Sequence, residues 1–292
     1  MITKIILSIV TKYNNKSYGG NIIMKKAVFF DIDGTLLDTS KGVSKITSPV
    51  KDAIRELQNN DILVFVSSGR PYAFLNEDIL TFGFDGYILM NGSLILLNDN
   101  KSNNLKPFYK NNIQKEHLKK LICKFENYNM EYILEDEKYS YLKNDFKSQK
   151  AFYESIDISM KYIKHEYDIE NINACKIEMH CLDEEAYNFC KTLEDDNFRY
   201  TYFDDFKLFE LYSRKDTKAS GIMRILDHFN IDINSSFAFG DSHNDIEMLN
   251  AVGCGIVMGN ALDEIKDHGD KITKSVSEDG VAYGINNYIL NK

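Results

Sequence analysis

No stretch of this 292-residue chain approaches the roughly 18 consecutive apolar residues that a membrane span needs. Positive charge is also short: 35 Lys and Arg stand against 44 Asp and Glu, a net charge of −9 with a pI near 5.3. That argues against nucleic acid or an acidic membrane surface as the main partner. It leaves room for an anionic small substrate, which needs only a local positive site. The 5 cysteines (Cys123, Cys175, Cys181, Cys190 and Cys254) are odd in number and lack close paired spacing. This points to reduced thiols in a cytoplasmic protein, not a disulfide framework. Proline falls to 3 residues, while 43% hydrophobic and 27% charged residues give a globular composition. No G-x-x-x-x-G-K-[ST] occurs, which disfavours P-loop chemistry.

What is present divides into unlike parts. Residues 1–23 contain only a short apolar stretch, Ile5 to Val10, too short for a signal-peptide core, followed by the loop-like "NNKSYGG". The expectation is a tail, or the product of an upstream start codon, that adds nothing to the fold. From Met24 the chain reads strand, helix, strand, strand: "AVFF", a helix with Pro49 in its first turn, "DILVFVSSGRP" and "FDGYILMNG". Continuous apolar strands of this kind suggest a parallel sheet covered on both faces. After Gly92 the texture changes to a hairpin, a helix near 112–128, and short strands "MEYILED", "CKIEMHC", "FRYTYF" and "FKLFELYS" rich in Tyr and Phe. The parallel pattern resumes near Asp216. Residues 24–92 and 212–292 therefore read as one α/β unit, and 93–211 as an inserted α+β unit. Within "CKIEMHC" a metal site at Cys175, His180 and Cys181 is the alternative to a strand with buried thiols, and the strand is preferred.

Four segments carry unusual residues just past a strand end or at a helix start, where open α/β sheets bind ligands. They are Asp31-Ile32-Asp33-Gly34-Thr35, Ser67-Ser68-Gly69-Arg70, Lys218, and Gly240-Asp241 with Asn244-Asp245. Asp31 and Asp33 lie two apart, so strand alternation points both the same way past the strand's end. Asp31, Asp33, Asp241 and Asp245 make four carboxylates, of which Lys218 offsets one. The remainder asks for a divalent cation, and an all-oxygen donor set favours Mg²⁺. Mg²⁺ beside a hydroxyl, an ammonium and helix N-termini makes a phosphate site. One aspartate there can attack phosphorus, and the other can protonate the leaving oxygen.

These motifs resemble those of the haloacid dehalogenase-like hydrolases, and more narrowly the Cof-type phosphatases. "DIDGTL" and "GDSHND" carry most of the resemblance, with "SSGRP", "MNGS", "VMGNA" and "EDGVA" beside them, over residues 25–290. The resemblance implies a Rossmann-like parallel-sheet core with an inserted α+β cap that sets substrate specificity. It implies Asp31 as nucleophile and metal ligand, and Asp33 as acid/base that also binds metal through its backbone carbonyl. Asp241 becomes the side-chain metal ligand. Ser68, Gly69, Lys218 and Asn244 become phosphate-binding, with Asp245, Thr35, Arg70 and Asn91 in support. The third motif departs from the family's usual Lys-Gly: here Ala219 follows Lys218. His243 reads as an exposed turn residue.

The expected function is Mg²⁺-dependent hydrolysis of small phosphorylated metabolites through an aspartyl-phosphate, by a monomer or weak homodimer. The alternatives are a phosphosugar mutase or phosphotransferase using the same intermediate, a signalling receiver domain, and a non-catalytic binding module. A receiver would need no cap, and a module that had lost catalysis would show decay at Asp31, Asp33, Lys218 or Asp241, all of which are intact.

Overall fold

Every residue of β1 (Ala27–Phe30) is fully buried, because this strand lies inside a sheet covered on two sides. The computed structural model describes residues 25–99, 104–155 and 158–292, so the expectation for residues 1–23 lies outside the described residues. β1 pairs in parallel with β2 (Leu63–Ser67) and β12 (Ser236–Gly240). β3 (Gly86–Leu89), β13 (Cys254–Val257) and β14 (Lys271–Ile272) extend the parallel part. The hairpin β4 (Leu94–Asn98) and β5 (Leu105–Lys110) adds two antiparallel strands, giving the order β14-β13-β12-β1-β2-β3-β4-β5.

Alternation along the strands sends side chains to two separate cores. Val28, Phe30, Val64 and Val66 meet Val50, Ala53, Ile54 and Leu57 of α1 (Ser48–Asn59), whose first turn holds Pro49. Ala27, Phe29 and Phe65 meet Ile222, Ile225 and Leu226 of a helix spanning Lys218–Phe229. The sequence expectation of a parallel sheet packed on both faces is met.

Six further strands form a second sheet: β6 (Met130–Glu135), β7 (Ser140–Leu142), β8 (Ile163–Lys164), β9 (Lys176–Cys181), β10 (Phe198–Phe203) and β11 (Leu208–Ser213). Their order is β10-β11-β9-β6-β7-β8, antiparallel except for β7 with β8. One face is apolar. There Tyr132, Leu134, Ile177, Met179, Phe209 and Leu211 pack with α3 (Lys115–Phe125) and α5 (Glu184–Lys191). The other face carries Glu135 opposite Lys176 and Glu178 opposite Glu210. Two short helices, α2 (Glu77–Thr81) and α4 (Lys147–Ser155), were not expected from the sequence. The remaining helices are α6 (Lys218–Phe229), α7 (Ile246–Asn250), α8 (Asp263–Lys266) and α9 (Gly280–Gly284).

One boundary differs from the expectation. The sequence puts the inserted unit at residues 93–211, yet β4 pairs with β3 and β5 with β4, so both strands belong to the first sheet. The hairpin was visible in the sequence, but its partner strand was not. The chain crosses between the sheets beside buried Asp216, which accepts hydrogen bonds from Tyr109 Oη at 2.9 Å and Asn111 Nδ2 at 2.5 Å, and pairs with Arg224 at 3.3 Å. Gly92 lies against the same crossing. Its φ is +97°, and a Cβ there would stand 2.3 Å from the carbonyl oxygen of Thr217. Gly92→Ala should therefore lower stability by about 1–3 kcal/mol, from the φ penalty together with a clash against backbone that cannot swing away. A urea midpoint within error of wild type would show that this crossing is loose.

Candidate active site

Asp31, the residue after β1, continues the alternation of Ala27 and Phe29 and so emerges on the face covered by α6. The first residue of α6 is Lys218, whose helix is held in place by a reciprocal Thr217–Ser220 capping box. Lys218 Nζ lies 2.7 Å from Asp31 Oδ1 and 2.6 Å from Asp245 Oδ1, with Asn244 Oδ1 at 3.4 Å. The Lys218, Asp31 and Asp245 side chains are all 6% exposed or less. Burial alone would lower the Lys218 pKa, but Asp245 and Asp31 outweigh it and the ammonium is stabilised.

The fourth motif wraps its own carboxylates. Asp245 Oδ2 accepts from the backbone N–H of Asp241 at 3.0 Å and of Ser242 at 3.1 Å. Asp241 Oδ1 accepts from Thr35 Oγ1 at 3.2 Å. A Cβ at Gly34 would stand 2.2 Å from Asp241 Oδ2, so the glycine lets the first motif approach the fourth. Asp31, Asp241 and Asp245 each offer a carboxylate oxygen, all within 4.8 Å of one another. Burial first, and Asp245 second, push the Asp31 carboxyl well above the usual range and Asp241 up to about 7. Such convergence of hard oxygen donors around one ammonium fits a divalent cation, which would relieve the repulsion.

Asp33 goes elsewhere. β1 stops at Phe30, and the backbone then turns, with Ile32 O accepting from Leu36 and Leu37. Strand alternation therefore does not govern Asp33. Its carboxylate is gripped by the Arg70 fork, Nε to Oδ2 at 2.8 Å and Nη2 to Oδ1 at 2.6 Å, and does not join the carboxylate cluster. Arg70 also donates to Phe74 O at 3.0 Å. Ser68 follows β2, whose Val66 lies opposite Phe30 in the parallel register, and its Oγ accepts from Arg70 N at 3.1 Å. Asn91 is buried at φ +53°, donates its N–H to Ser68 O at 3.2 Å, and leaves both side-chain polar atoms without a hydrogen-bond partner. Ala219 sits within regular helix and His243 is exposed beside Glu264. Cys175 and Cys181 bracket β9 and are buried. Among the described residues no metal-binding grouping includes them.

The sequence reading missed Lys176. This wholly buried lysine on β9 donates to Gly69 O at 2.9 Å and to Glu210 at 2.5 Å, and lies 3.2 Å from Glu135. It joins the second sheet to the loop after β2. The signal was the alternation in "CKIEMHC", which puts Lys176, Glu178 and His180 on one face and Ile177, Met179 and Cys181 on the other.

The family model for haloacid dehalogenase-like hydrolases matches residues 28–285. Phosphatase YwpJ of Bacillus subtilis is 27% identical over 287 residues, covering 88% of this chain and 98% of its own. The 5-amino-6-(5-phospho-D-ribitylamino)uracil phosphatase YitU of the same organism is 25% identical over 276 residues, covering 89% and 96%. The solved structure of the HAD subclass IIB sugar phosphatase BT4131 superposes with a TM-score of 0.74 at 25% identity, covering 90% and 99%. The chain belongs to the haloacid dehalogenase-like hydrolases, in their Cof-type phosphatase branch, and is a phosphatase enzyme.

Two outcomes follow from this geometry. Lys218→Ala strands two buried carboxylates, so it should cost about 3–5 kcal/mol in chelator, with part of the loss restored by a divalent cation. Equal stability of the variant and wild type in chelator would show that the cluster does not need the ammonium. Glu178 behaves in the opposite way to a salt-bridged surface acid. Burial, opposed by Lys176 and reinforced by Glu210, pushes it from 4.5 up to about 7. Between those values the folded chain holds a proton that the unfolded chain has lost, so this group's contribution falls as pH rises through that window. Glu178→Gln should flatten that part of the melting-temperature profile; an unchanged slope would assign it to other groups.

Proposed function

We propose that this phosphatase hydrolyses small phosphorylated metabolites with the help of Mg²⁺ and through a phosphoryl group carried on Asp31. The observation that supports this best is the buried Asp31 carboxylate, held at 2.7 Å by Lys218 where two further carboxylates converge. An oxygen of Asp31 attacks phosphorus, the phosphoryl bond to the leaving oxygen breaks, and Asp33 supplies the proton that oxygen needs. Asp33 then takes a proton from water, whose oxygen attacks the same phosphorus and frees Asp31. Lys218, Ser68 and the backbone at Gly69 hold the phosphoryl oxygens, with Asn244 at the rim. Asp31 and Asp241, with the Asp33 carbonyl, would hold Mg²⁺, which when bound offsets charge on the phosphoryl oxygens. Arg70 fixes the orientation of Asp33, so proton delivery requires the fork to yield as substrate enters. The second sheet would sort leaving groups, and its contact with the loop after β2 through Lys176 supports a closing role. Five free thiols support work in the cytoplasm, as a monomer or weak homodimer.

The test is phosphate release from a panel of phosphorylated metabolites. Asp31→Asn should abolish it while the far-ultraviolet spectrum is unchanged. Asp33→Asn should lose roughly 10²–10⁴-fold. Chelator should remove activity and Mg²⁺ restore it, with Ca²⁺ inhibiting because its looser shell misplaces the in-line geometry. Near-wild-type turnover by Asp31→Asn, or full activity of the chelated protein, would overturn the reading.

A further inference from the structure

Asp33 has to reach the oxygen that leaves with the product, so the leaving group must lie on its side of the phosphorus. Two cavities meet Asp33. One, of about 420 Å³, is walled only by residues of the first unit, with Asp38, Lys41 and Asp241 in its lining. The other, of about 900 Å³, has Asp33 and Arg70 together on its floor and rises to Phe152, Ile158, Tyr162 and Phe206 of the second unit. The first cavity has no aromatic side chain in its lining, whereas the second sets a guanidinium beside the acid and aromatic rings above it.

We infer that this larger cavity seats a leaving group bearing a planar heteroaromatic ring, stacked against the Phe152 and Phe206 side. The inference rests on the phosphatase reading above and names its substrate class. Phe206 ends the turn Asp204–Phe206 between β10 and β11, a tip otherwise made of charged residues, yet it is 48% exposed. Its ring lies 5.1 Å from that of Phe152, tilted by 49°, leaving ring surface open to the cavity. Tyr162 is held edge-on by Tyr72 at 5.2 Å, so this part of the wall is fixed to the first unit.

The polar groups around the cavity are largely committed to protein partners. Asn76 caps Ile79 and donates to Ser44 O, Ser40 donates to Asp38, and Lys161 pairs with Glu77 at 3.1 Å across the rim. A bare polyol needs a partner for each hydroxyl it brings out of water. An aromatic ring needs open apolar and aromatic surface, which is what this cavity has.

The experiment compares adenosine 5′-monophosphate and flavin mononucleotide with ribose 5-phosphate, which bears a phosphate on a five-carbon chain but no ring. The ring-bearing esters should show the higher kcat/KM. Phe206→Ala should lower it for them by about 3- to 10-fold, mainly through KM, while turnover of ribose 5-phosphate stays within about twofold. Flavin fluorescence titrated with the Asp31→Asn protein gives a binding readout that needs no catalysis, and Phe206→Ala added to it should weaken binding by the same factor. Equal or better use of ribose 5-phosphate, or a loss on Phe206→Ala that is the same for every ester, would overturn the inference and leave the phosphatase reading standing. Absence of phosphate release from all esters would overturn that reading instead. The flavin titration would then decide the ring site, with unchanged affinity in the Phe206→Ala protein counting against it.

Discussion

One ammonium organises the site. Asp31 and Asp245 are buried acids on different segments, and neither is tolerable there without a counter-charge. Lys218 stands between them at 2.7 and 2.6 Å. To bring it there, α6 must begin at the sheet's carboxyl edge, so Thr217 and Ser220 cap each other and the chain must return from the second sheet at this point. The crossing at Asp216 and Gly92 serves that geometry. The carboxylates remain in excess over the lysine, which is why the cluster suits both a divalent cation and an anionic phosphoryl group bound to it.

A second constraint concerns the segment after β2. Ser68 is tied to the first unit through Ile88 O at 2.8 Å. A few residues on, Ala73 and Phe74 pack with Ile133, Leu142, Tyr153 and Ile163 of the second unit. Gly69 between them accepts from Lys176. Arg70, on the same stretch, grips Asp33. The packing of the second unit and the placement of Asp33 are therefore joined within seven residues of chain.

The parts legible in the sequence were those with local signatures. Apolar runs marked the parallel strands, Pro49 marked α1, and the paired acids with Gly34 and Thr35 marked the strand-end turn. Four motifs placed in order let a charge argument join residues far apart in the chain. The orientation of Asp33 was not legible, because alternation holds only while the strand lasts and β1 ends one residue before Asp31. The allegiance of β4 and β5 was hidden because a hairpin's internal pattern says nothing about which strand it borders. Lys176 was hidden because a lone lysine in a strand gives no hint of the carbonyl it will meet across a domain contact. The aromatic cavity depends on Phe206 at a turn and Phe152 on a short helix, whose spacing in sequence carries no sign of their meeting.

The pairing of β1 with β12 bears on how the protein comes into being. Asp31 leaves the ribosome early, but its lysine follows 187 residues later. Until then the strand carrying it has one parallel neighbour to pair with and an open edge on the other side. The inserted unit, with its mostly antiparallel sheet between residues 130 and 213, is complete in the nascent chain before the first unit can close. Synthesis thus finishes the inserted unit first and the charge-balanced centre last, and a truncated chain lacking α6 would expose an unpaired edge and an uncompensated acid.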